Sequence, residues 1–422
     1  MDVIRKNFRV CDSHFSPESR LVGRSGANLK ADSIPTLYLP LQLAEVIDIA
    51  GTSSIKPSMV IELQSSSSTN TDAVSQPPEN IPKISVKSKK DQREVRQRSK
   101  ILSHVGVKQA AQLTPKARKL YNGFQDNGKS NRSLALADKA MVFMARGIHK
   151  KWKQPLAYYL NYGGMKADII VKCLKDVVCE AKCIGLTVVG TICDQASPNV
   201  RAIQTLYQET NRECQLKGIE NRYFGFLIDN TEIVPIYDPP HLLKGIRNNL
   251  FDNKCIFKWR NNKTETASWQ DIRLLYELEE ADQDFKMCNK LTDVHVNNSK
   301  KMKVSIAAQV LSQRVAALMR GLARLGPDHM PSSGLETSEF LFFMDKVFDS
   351  VNGTTVSFEN GKTLRCAVSS TSNHNAFWVE AIKVFKSMKY FNKKQRTFVP
   401  PSVKNWIHTL EAFRYLWQKL HV

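Results

Sequence analysis

The stretch LTVVGTICDQASPN, residues 186–199, constrains the fold of this chain more than any other. Its short, nearly continuous apolar run is typical of a strand that is covered on both faces. Ser197 and Pro198 then predict a helix, with Ser197 as the N-cap and Pro198 as the first helical residue. The segment before this stretch has helical spacing, and FGFLID and EIVPIYD after it predict a hairpin. Helix, strand, helix and strand in this order predict an α/β domain with a partly parallel sheet.

The chain has a strong excess of basic residues: 61 Lys and Arg stand against 40 Asp and Glu, giving a formal net charge of +21 over 422 residues. Such a charge attracts polyanions and makes nucleic acid the default partner, although charge alone does not separate DNA, RNA and an acidic membrane surface. The 42% hydrophobic content excludes wholesale disorder. No apolar run approaches the roughly 18 residues of a membrane span. The nine irregularly placed cysteines and the lack of an apolar secretory core indicate a nuclear or cytosolic protein with reduced thiols.

A low-complexity region separates the two ends of the chain. Residues 46–100 are predicted to be a disordered linker, because Ser, Thr and Pro dominate residues 51–80 and aromatic residues are few. The linker ends in a basic arm, residues 83–100, which includes Lys89 and Lys90. This arm is either a nuclear import signal or a nucleic-acid contact, and the alternative is a solvated helix face.

The globular part follows the linker. Residues 101–240 carry the strand and helix signals of the α/β domain. After residue 240 the strand signals fade, and residues 241–422 are predicted to form a second, mainly α domain. The N-terminal residues 1–45 are mixed in composition.

Two positions after predicted strands carry candidate functional groups. Asp194 ends an apolar strand where a helix begins, which is where ligands bind in open α/β sheets. Its carboxylate can hold Mg²⁺ or can cap the next helix. Asp238 ends the following strand, and Lys244 and Arg247 share one face of the helix after it. These two side chains are either a polyanion contact or a solvated basic face.

Near the N-terminus, Cys11 and His14 have the spacing of half a zinc site. A structural zinc ion needs four ligands, and the next cysteine is Cys173. Taken alone, this pair is therefore no more than an incidental Cys and His.

Several long segments together resemble the transposases of the P-element type. The segments occur in the family's order over roughly residues 101–422, and they are ADKAMVFMARGIHKKWKQPLAYYL, VVGTICDQASPN, YDPPHLLKGIRNNL, LTDVHVNNSKKMKVSIAAQVLSQRVAAL and FMDKVFDSVNG. The resemblance implies an α/β RNase H-like domain interrupted by a mainly α insertion domain that binds GTP. It also implies a THAP-type zinc finger, because RVCDSHF and LKADSIPTLYLP resemble the C-terminal half of one. Cys11 and His14 then match the third and fourth zinc ligands of a partial ββα-type finger within residues 1–45.

The resemblance also implies a catalytic site of three carboxylates that hold two divalent cations. Asp194 matches the second carboxylate. The first position, in Ser103-His104-Val105-Gly106-Val107, is matched by Val105, which has no ligand atom. The third carboxylate is expected beyond Val422. We therefore expect a nuclear DNA-binding protein, degenerate or domesticated, that does not perform normal transposition chemistry. A homo-oligomer is one of its expected forms.

Two alternatives remain open at this stage. The chain is a fragment or truncated gene model of an active, GTP-dependent cut-and-paste DNA transposase, or it is a nucleotide-binding interaction protein without a DNA role.

The resemblance implies a nucleotide site in the insertion. A lysine would bind phosphate, a phenylalanine would stack on the base, and a carboxylate would accept hydrogen bonds from guanine N–H groups. The matching residues are Lys303, Val304, Ser312, Phe348, Asp349 and Asn352. Because a further aspartate of the family is expected beyond Val422, the prediction is weakened GTP binding; the alternative is that Val304 and Phe348 are core residues of two helices.

Overall fold

The structure is a computed structural model. The described residues are 20–23, 26–29, 58–67, 124–128, 132–148, 152–260, 263–281, 286–297, 301–353, 355–358, 361–392, 394 and 396–420. The predictions made for Cys11, His14, Lys89, Lys90 and Val105 fall outside these residues. A short hairpin of β1 (Arg20–Gly23) and β2 (Gly26–Leu29) comes first along the chain.

An eight-stranded mixed sheet forms the first large part of the fold, with the spatial order β5-β4-β7-β6-β3-β8-β10-β9. Its strands are β3 (Ser58–Ser67), β4 (Phe124–Asp126), β5 (Arg132–Leu136), β6 (Lys139–Gly147), β7 (Lys153–Asn161), β8 (Thr187–Cys193), β9 (Phe226–Ile228) and β10 (Thr231–Tyr237). β8 and β10 are parallel, so the prediction of a partly parallel sheet is confirmed.

The prediction of a disordered linker is wrong for β3. This strand lies in the middle of the sheet, antiparallel to β6 and parallel to β8, and Met59, Ile61 and Leu63 are buried. The Ser-rich composition of the region hid the short segment MVIEL, in which buried and half-buried residues alternate. A segment of five such residues is long enough for a strand here because two neighbouring strands supply its hydrogen bonds.

Helices cover both faces of this sheet. On one face lie α1 (Ala167–Cys183) and α2 (Ser197–Leu216), which pack together. The apolar stripe predicted for α1 is confirmed, because all five of its residues are buried: Ile170, Leu174, Val177, Val178 and Ala181. Ala196, one residue earlier than predicted, is the N-cap of α2.

The opposite face is covered by the last helix, α10 (Pro401–Leu420). Ala412 and Leu416 of α10 form a second apolar cluster with residues of β8 and β10, including Val189 and Ile236. Close packing requires a glycine here, since a Cβ on Gly190 would lie 2.9 Å from the carbonyl oxygen of Val234. The sheet is therefore the middle layer of a three-layer α/β/α arrangement.

The hairpin of β9 and β10 turns at Asp229 and Asn230, as predicted. Their φ angles of 48° and 58° lie in the left-handed region, which a two-residue type I′ turn requires and which Asn and Asp tolerate best among non-glycine residues.

The second part of the chain is mostly helical, as predicted. It contains α3 (Pro239–Asp252), β11 (Lys254–Lys258), β12 (Thr264–Ala267), α4 (Trp269–Ala281), α5 (Asp293–Val296), α6 (Val304–Val310), α7 (Gln313–Leu325), α8 (Ser333–Val351), α9 (His374–Ser387), β13 (Lys389–Phe391), β14 (Thr397–Phe398) and α10. α7 and α8 form the most extensively packed helix pair.

Two features of this part differ from the sequence prediction. Four short strands form an antiparallel sheet of order β12-β11-β13-β14. They escaped detection because they are two to five residues long and rich in lysine and threonine. The last helix, α10, was predicted within the second domain but packs on β10 of the large sheet. None of the described helices is long and apolar enough to span a membrane.

Candidate functional site

The carboxyl ends of β8 and β10 bring two aspartates to one edge of the large sheet. Cys193 and Tyr237, the last residues of the two strands, are register partners. Asp194 and Asp238 follow them directly, and the backbone N–H of Asp238 donates to the carbonyl of Cys193 at 2.8 Å. This edge is the position where open α/β sheets bind ligands.

Asp194 fixes the start of the next helix. Its Oδ1 accepts hydrogen bonds from the backbone N–H of Ala196 (2.9 Å) and from Nδ2 of Asn199 (2.8 Å). Asn199 is itself buried. Asp194 thus closes a turn just before α2 and does not cap it, since the N-cap is Ala196 and no side chain caps this helix. The Oδ2 of Asp194 has no hydrogen bond from the described part of the chain.

Asp238, unlike Asp194, is the N-cap of the helix that follows it, α3. Its Oδ2 accepts from the backbone N–H of His241 at 3.2 Å, which caps the helix. The Nδ1 of His241 lies 3.0 Å from the same oxygen, an ionic contact without hydrogen-bond geometry. Lys244, one turn later, is half-buried: burial lowers its pKa, and the charges of Asp194 and Asp238 act in the opposite direction. Lys244 therefore lies in the field of the two carboxylates, and its nucleic-acid contact stays a prediction.

The prediction of a surface nucleic-acid contact is wrong for Arg247, which is fully buried. It lies on the core-facing side of α3 with Leu243, Ile246 and Leu250. Its Nη2 donates to the carbonyl of Lys301 at 3.2 Å, and its Nε and Nη1 have no partner in the described structure. Burial lowers the pKa of this guanidinium. The spacing of Lys244 and Arg247 predicted that they share a face of α3, but it did not predict what packs against that face. In the structure, α6, α8 and α10 pack against α3.

In the described structure, β8 lies between β3 and β10 in the large sheet. On β3, Glu62 is the register partner of Ile192 on β8. Register partners point to the same face of a sheet, so Glu62 and Ile192 both point toward α10. Glu62 is half-buried and lies two positions before the level of Asp194. Sequence reasoning missed this carboxylate because its strand was taken for a linker.

The oxygen donors at this edge are of the kind that Mg²⁺ takes. Asp194 offers its free Oδ2, and Asp238 stands beside it on the neighbouring strand. The described residues bring no group of three or more His, Cys, Asp or Glu side chains into the arrangement of a metal site. The two aspartates therefore fit part of a magnesium site.

The residues predicted to bind a nucleotide lie on α6, α7 and α8. Lys303 is the N-cap of α6 and is exposed, and Val304 begins the helix. Ser312 is the N-cap of α7, where its Oγ accepts from Val315 N at 3.5 Å and donates to the carbonyl of Gln309 at 2.8 Å. Because α7 and α8 form a helical hairpin, the start of α7 and the end of α8 lie at the same end of it.

The end of α8 carries the other three predicted residues. Phe348 is half-buried against the core, and Asn352 is the exposed C-cap. Asp349 is buried, and its Oδ2 accepts from Nζ of Lys362 at 2.6 Å; Lys362 also lies 3.0 Å from Asp345. Burial raises the pKa of Asp349, while the ammonium of Lys362 opposes the rise. No sequence signal pointed to Lys362. Its ammonium pairs with Asp349, the carboxylate that was predicted to bind guanine.

Two family models match the chain in order. The first, described as the TNP-like RNase H N-terminal domain, matches residues 81–207, and the second, the TNP-like GTP-binding insertion domain, matches residues 240–364. The central strand β3 precedes the first match, so its place in the sheet is a finding of the structure alone.

Two curated proteins are similar to this chain. The human protein named DNA transposase THAP9 is 26% identical over 265 residues, which is 60% of this chain and 27% of that protein. The Transposable element P transposase of Drosophila melanogaster is 26% identical over 221 residues, 51% of this chain and 26% of that protein. The chain thus spans about a quarter of the length of these relatives.

A solved structure shares the fold. The Drosophila P element transposase strand transfer complex aligns with a TM-score of 0.58 and 18% identity, over 91% of this chain and 69% of that chain. The fold is thus the RNase H-like transposase fold with mixed helix and sheet content. Two domain models matched in order and two related transposases thus show that this chain is homologous to the P-element-type transposases over these regions.

Proposed function

We propose that this chain is a P-element transposase-like nuclear DNA-binding protein whose RNase H-like site is catalytically degenerate. The observation that carries the proposal is the state of Asp194: it stands at the catalytic edge but is hydrogen-bonded to the start of α2, with Lys244 nearby. Two metal ions need several more oxygen ligands than one such carboxylate offers. The relatives named as DNA transposases and the net charge of +21 support DNA as the partner and the nucleus as the location.

One observation favours the alternative, that this sequence is part of an active GTP-dependent DNA transposase. Glu62 on β3 supplies a carboxylate on the strand next to β8, on the face toward which Ile192 points. Together with Asp194 and Asp238 it would give three acids near one edge. Magnesium bound there would supply an activated water or hydroxyl for strand cleavage.

Cleavage of supercoiled plasmid separates the two readings. The purified chain is incubated with plasmid DNA and Mg²⁺ or Mn²⁺, beside Asp194→Ala, Glu62→Gln and Asp328→Ala, the last an exposed aspartate in the loop before α8. The degenerate site predicts DNA binding by all four proteins and nicking by none. Metal-dependent nicking that Asp194→Ala abolishes and Asp328→Ala leaves intact would refute it. Loss of nicking in Glu62→Gln as well would establish the alternative.

We also infer a weak nucleotide site at the end of the α7–α8 hairpin. Lys303 at the start of α6 and Asn352 at the end of α8 are both exposed, and Ser312 is the N-cap of α7, which supports phosphate and ribose contacts. Asp349 can accept hydrogen bonds from guanine only after its contact with Lys362 is broken, and this competition weakens GTP binding. Titration with GTP and ATP up to millimolar concentration tests the idea. Weak saturable binding that prefers GTP is expected, and the absence of a saturable signal would remove the site. The zinc site of Cys11 and His14 stays a prediction.

A further inference from the structure

One face of the four-stranded sheet carries a concentration of lysines. Strand β11 alternates exposed and buried residues, so Lys254 and Lys258 lie on its outer face and Cys255 and Phe257 on its core face. Lys389 of β13 is the register partner of Ile256 and therefore shares the outer face with the other two lysines. All three side chains are exposed. We call Lys254, Lys258 and Lys389 the lysine face.

Acidic side chains do not neutralise the lysine face. Thr264, Thr266 and Thr397 and the apolar Ile256 and Phe391 fill its remaining positions, as the strand registers show. Glu265 is the partner of Phe257 and lies on the opposite, core-facing side, and Asp252 ends the helix before β11. Within the described structure, none of the three lysines forms a salt bridge. Lys254 and Lys258 are four residues apart on β11, which at about 3.3 Å per residue separates them by about 13 Å. Three like charges within this distance therefore stay uncompensated.

A shallow pocket of about 210 Å³ extends the lysine face at the end of β11. Three cations, Lys258, Arg260 and Lys383, line it together with one acid, Glu380, and Ser387 contributes a hydroxyl. The guanidinium of Arg260 is stacked 4.3 Å above the ring of Trp259, whose Nε1 donates to Glu380 at 2.6 Å. Arg260 is also paired with Glu339, so its charge is partly compensated, whereas Lys383 forms no salt bridge with any other described residue.

We propose that the lysine face and this pocket bind the phosphate backbone of duplex DNA. The proposal rests on the proposed DNA-binding function and names the surface that performs it. Of the two basic residues expected to contact DNA on α3, Arg247 is buried and Lys244 lies beside two aspartates, so α3 offers little free positive charge. The lysine face is instead exposed, free of acids and fixed on a hydrogen-bonded sheet. Lysines contacting phosphates give affinity without sequence preference and release counterions from the DNA.

The test is the salt dependence of DNA affinity. Fluorescence anisotropy with a labelled duplex compares the full chain, the triple variant Lys254→Gln/Lys258→Gln/Lys389→Gln, and a control triple that removes the same charge from exposed, unpaired lysines elsewhere. The control variant is Lys153→Gln/Lys166→Gln/Lys290→Gln. Each lost phosphate contact lowers the slope of log K against log salt by about 0.9. For three contacts, the loss of affinity between about 50 mM and about 200 mM salt shrinks by about 40-fold.

The outcomes are distinct. The proposal is supported when the lysine-face variant shows this reduced salt dependence, the control variant keeps the wild-type value, and circular dichroism shows all three proteins folded. It is overturned when the two triple variants bind DNA alike while the wild-type chain binds well. Tighter binding of an RNA duplex than of DNA through the same lysines would overturn DNA as the occupant. If the wild-type chain binds no duplex DNA at all, the proposed function itself fails.

Discussion

One buried carboxylate, that of Glu232, joins helix α10 to the large sheet in addition to their apolar contacts. Removing the charge of this carboxylate gives a prediction with a magnitude. Glu232 of β10 accepts three hydrogen bonds: from Gly225 N at 2.9 Å, from the Tyr415 hydroxyl at 2.8 Å and from Nζ of Lys419 at 2.7 Å. The last two donors belong to α10, which covers the sheet face toward which Glu62 points. In the variant Glu232→Gln the amide keeps the shape and can accept from Gly225, but it loses its charge.

The loss is estimated from the strongest of these contacts. A hydrogen bond to a charged group contributes about 1.5–3 kcal/mol, and the partial exposure of Lys419 reduces this to about 1–2 kcal/mol through solvent screening. Local opening of α10 then becomes about 5- to 30-fold more frequent, since about 1.4 kcal/mol corresponds to a factor of ten. Hydrogen–deuterium exchange of the amides in residues 401–420, followed by mass spectrometry, measures this factor directly. Glu220→Gln is the control, because Glu220 forms an exposed pair with Arg222.

The effect depends on pH with a defined sign. Burial alone would raise the pKa of Glu232, but the hydrogen bonds from Gly225, Lys419 and Tyr415 outweigh it and hold the pKa below its usual value. A lowered pKa means that the stabilisation is present above the unfolded-state pKa of about 4.3 and is lost as the pH falls through the folded-state value. The wild-type chain and Glu232→Gln should therefore converge in strongly acidic solution. Equal protection of α10 in both proteins at neutral pH would refute the reasoning, as would an undiminished difference in acid.

Two further pairs of substitutions test the packing. Gly245→Ala should lower the melting temperature and reduce the free energy of unfolding by about 1–3 kcal/mol, because the new Cβ would lie 2.8 Å from Cβ of Ser402 in α10. The control Gly321→Ala, where nothing lies within 4 Å, should be neutral or stabilising. Equal melting temperatures of the two variants would contradict the close contact at Gly245. Arg247→Met should melt at or above the wild-type temperature, because it removes a buried cation whose Nε and Nη1 have no partner in the described structure. Arg247→Ala should melt at a lower temperature because it leaves a cavity. A similar drop in melting temperature for both variants would show that the charge itself is needed.

Local chemistry allowed the sequence to determine several elements. The stripe of α1 follows from residues three and four apart, and β8 followed by Asp194 follows from a short apolar run before a helix start. The turn at Asp229 and Asn230 follows from the left-handed conformation these residues tolerate. The order of these segments also carried the family resemblance, which the matched domain models confirm.

Only the tertiary structure decided which residues meet from distant parts of the chain. β3 reads as linker by composition but becomes the central strand because β6 and β8 supply its hydrogen-bond partners. Arg247 has the spacing of a surface cation but is buried because α10 and the helices of the insertion surround α3. Asp349 meets Lys362 through a loop fold that no local pattern encodes. Whether a side chain is buried or paired depends on residues that lie tens to hundreds of positions away in the sequence, and local periodicity does not identify those residues.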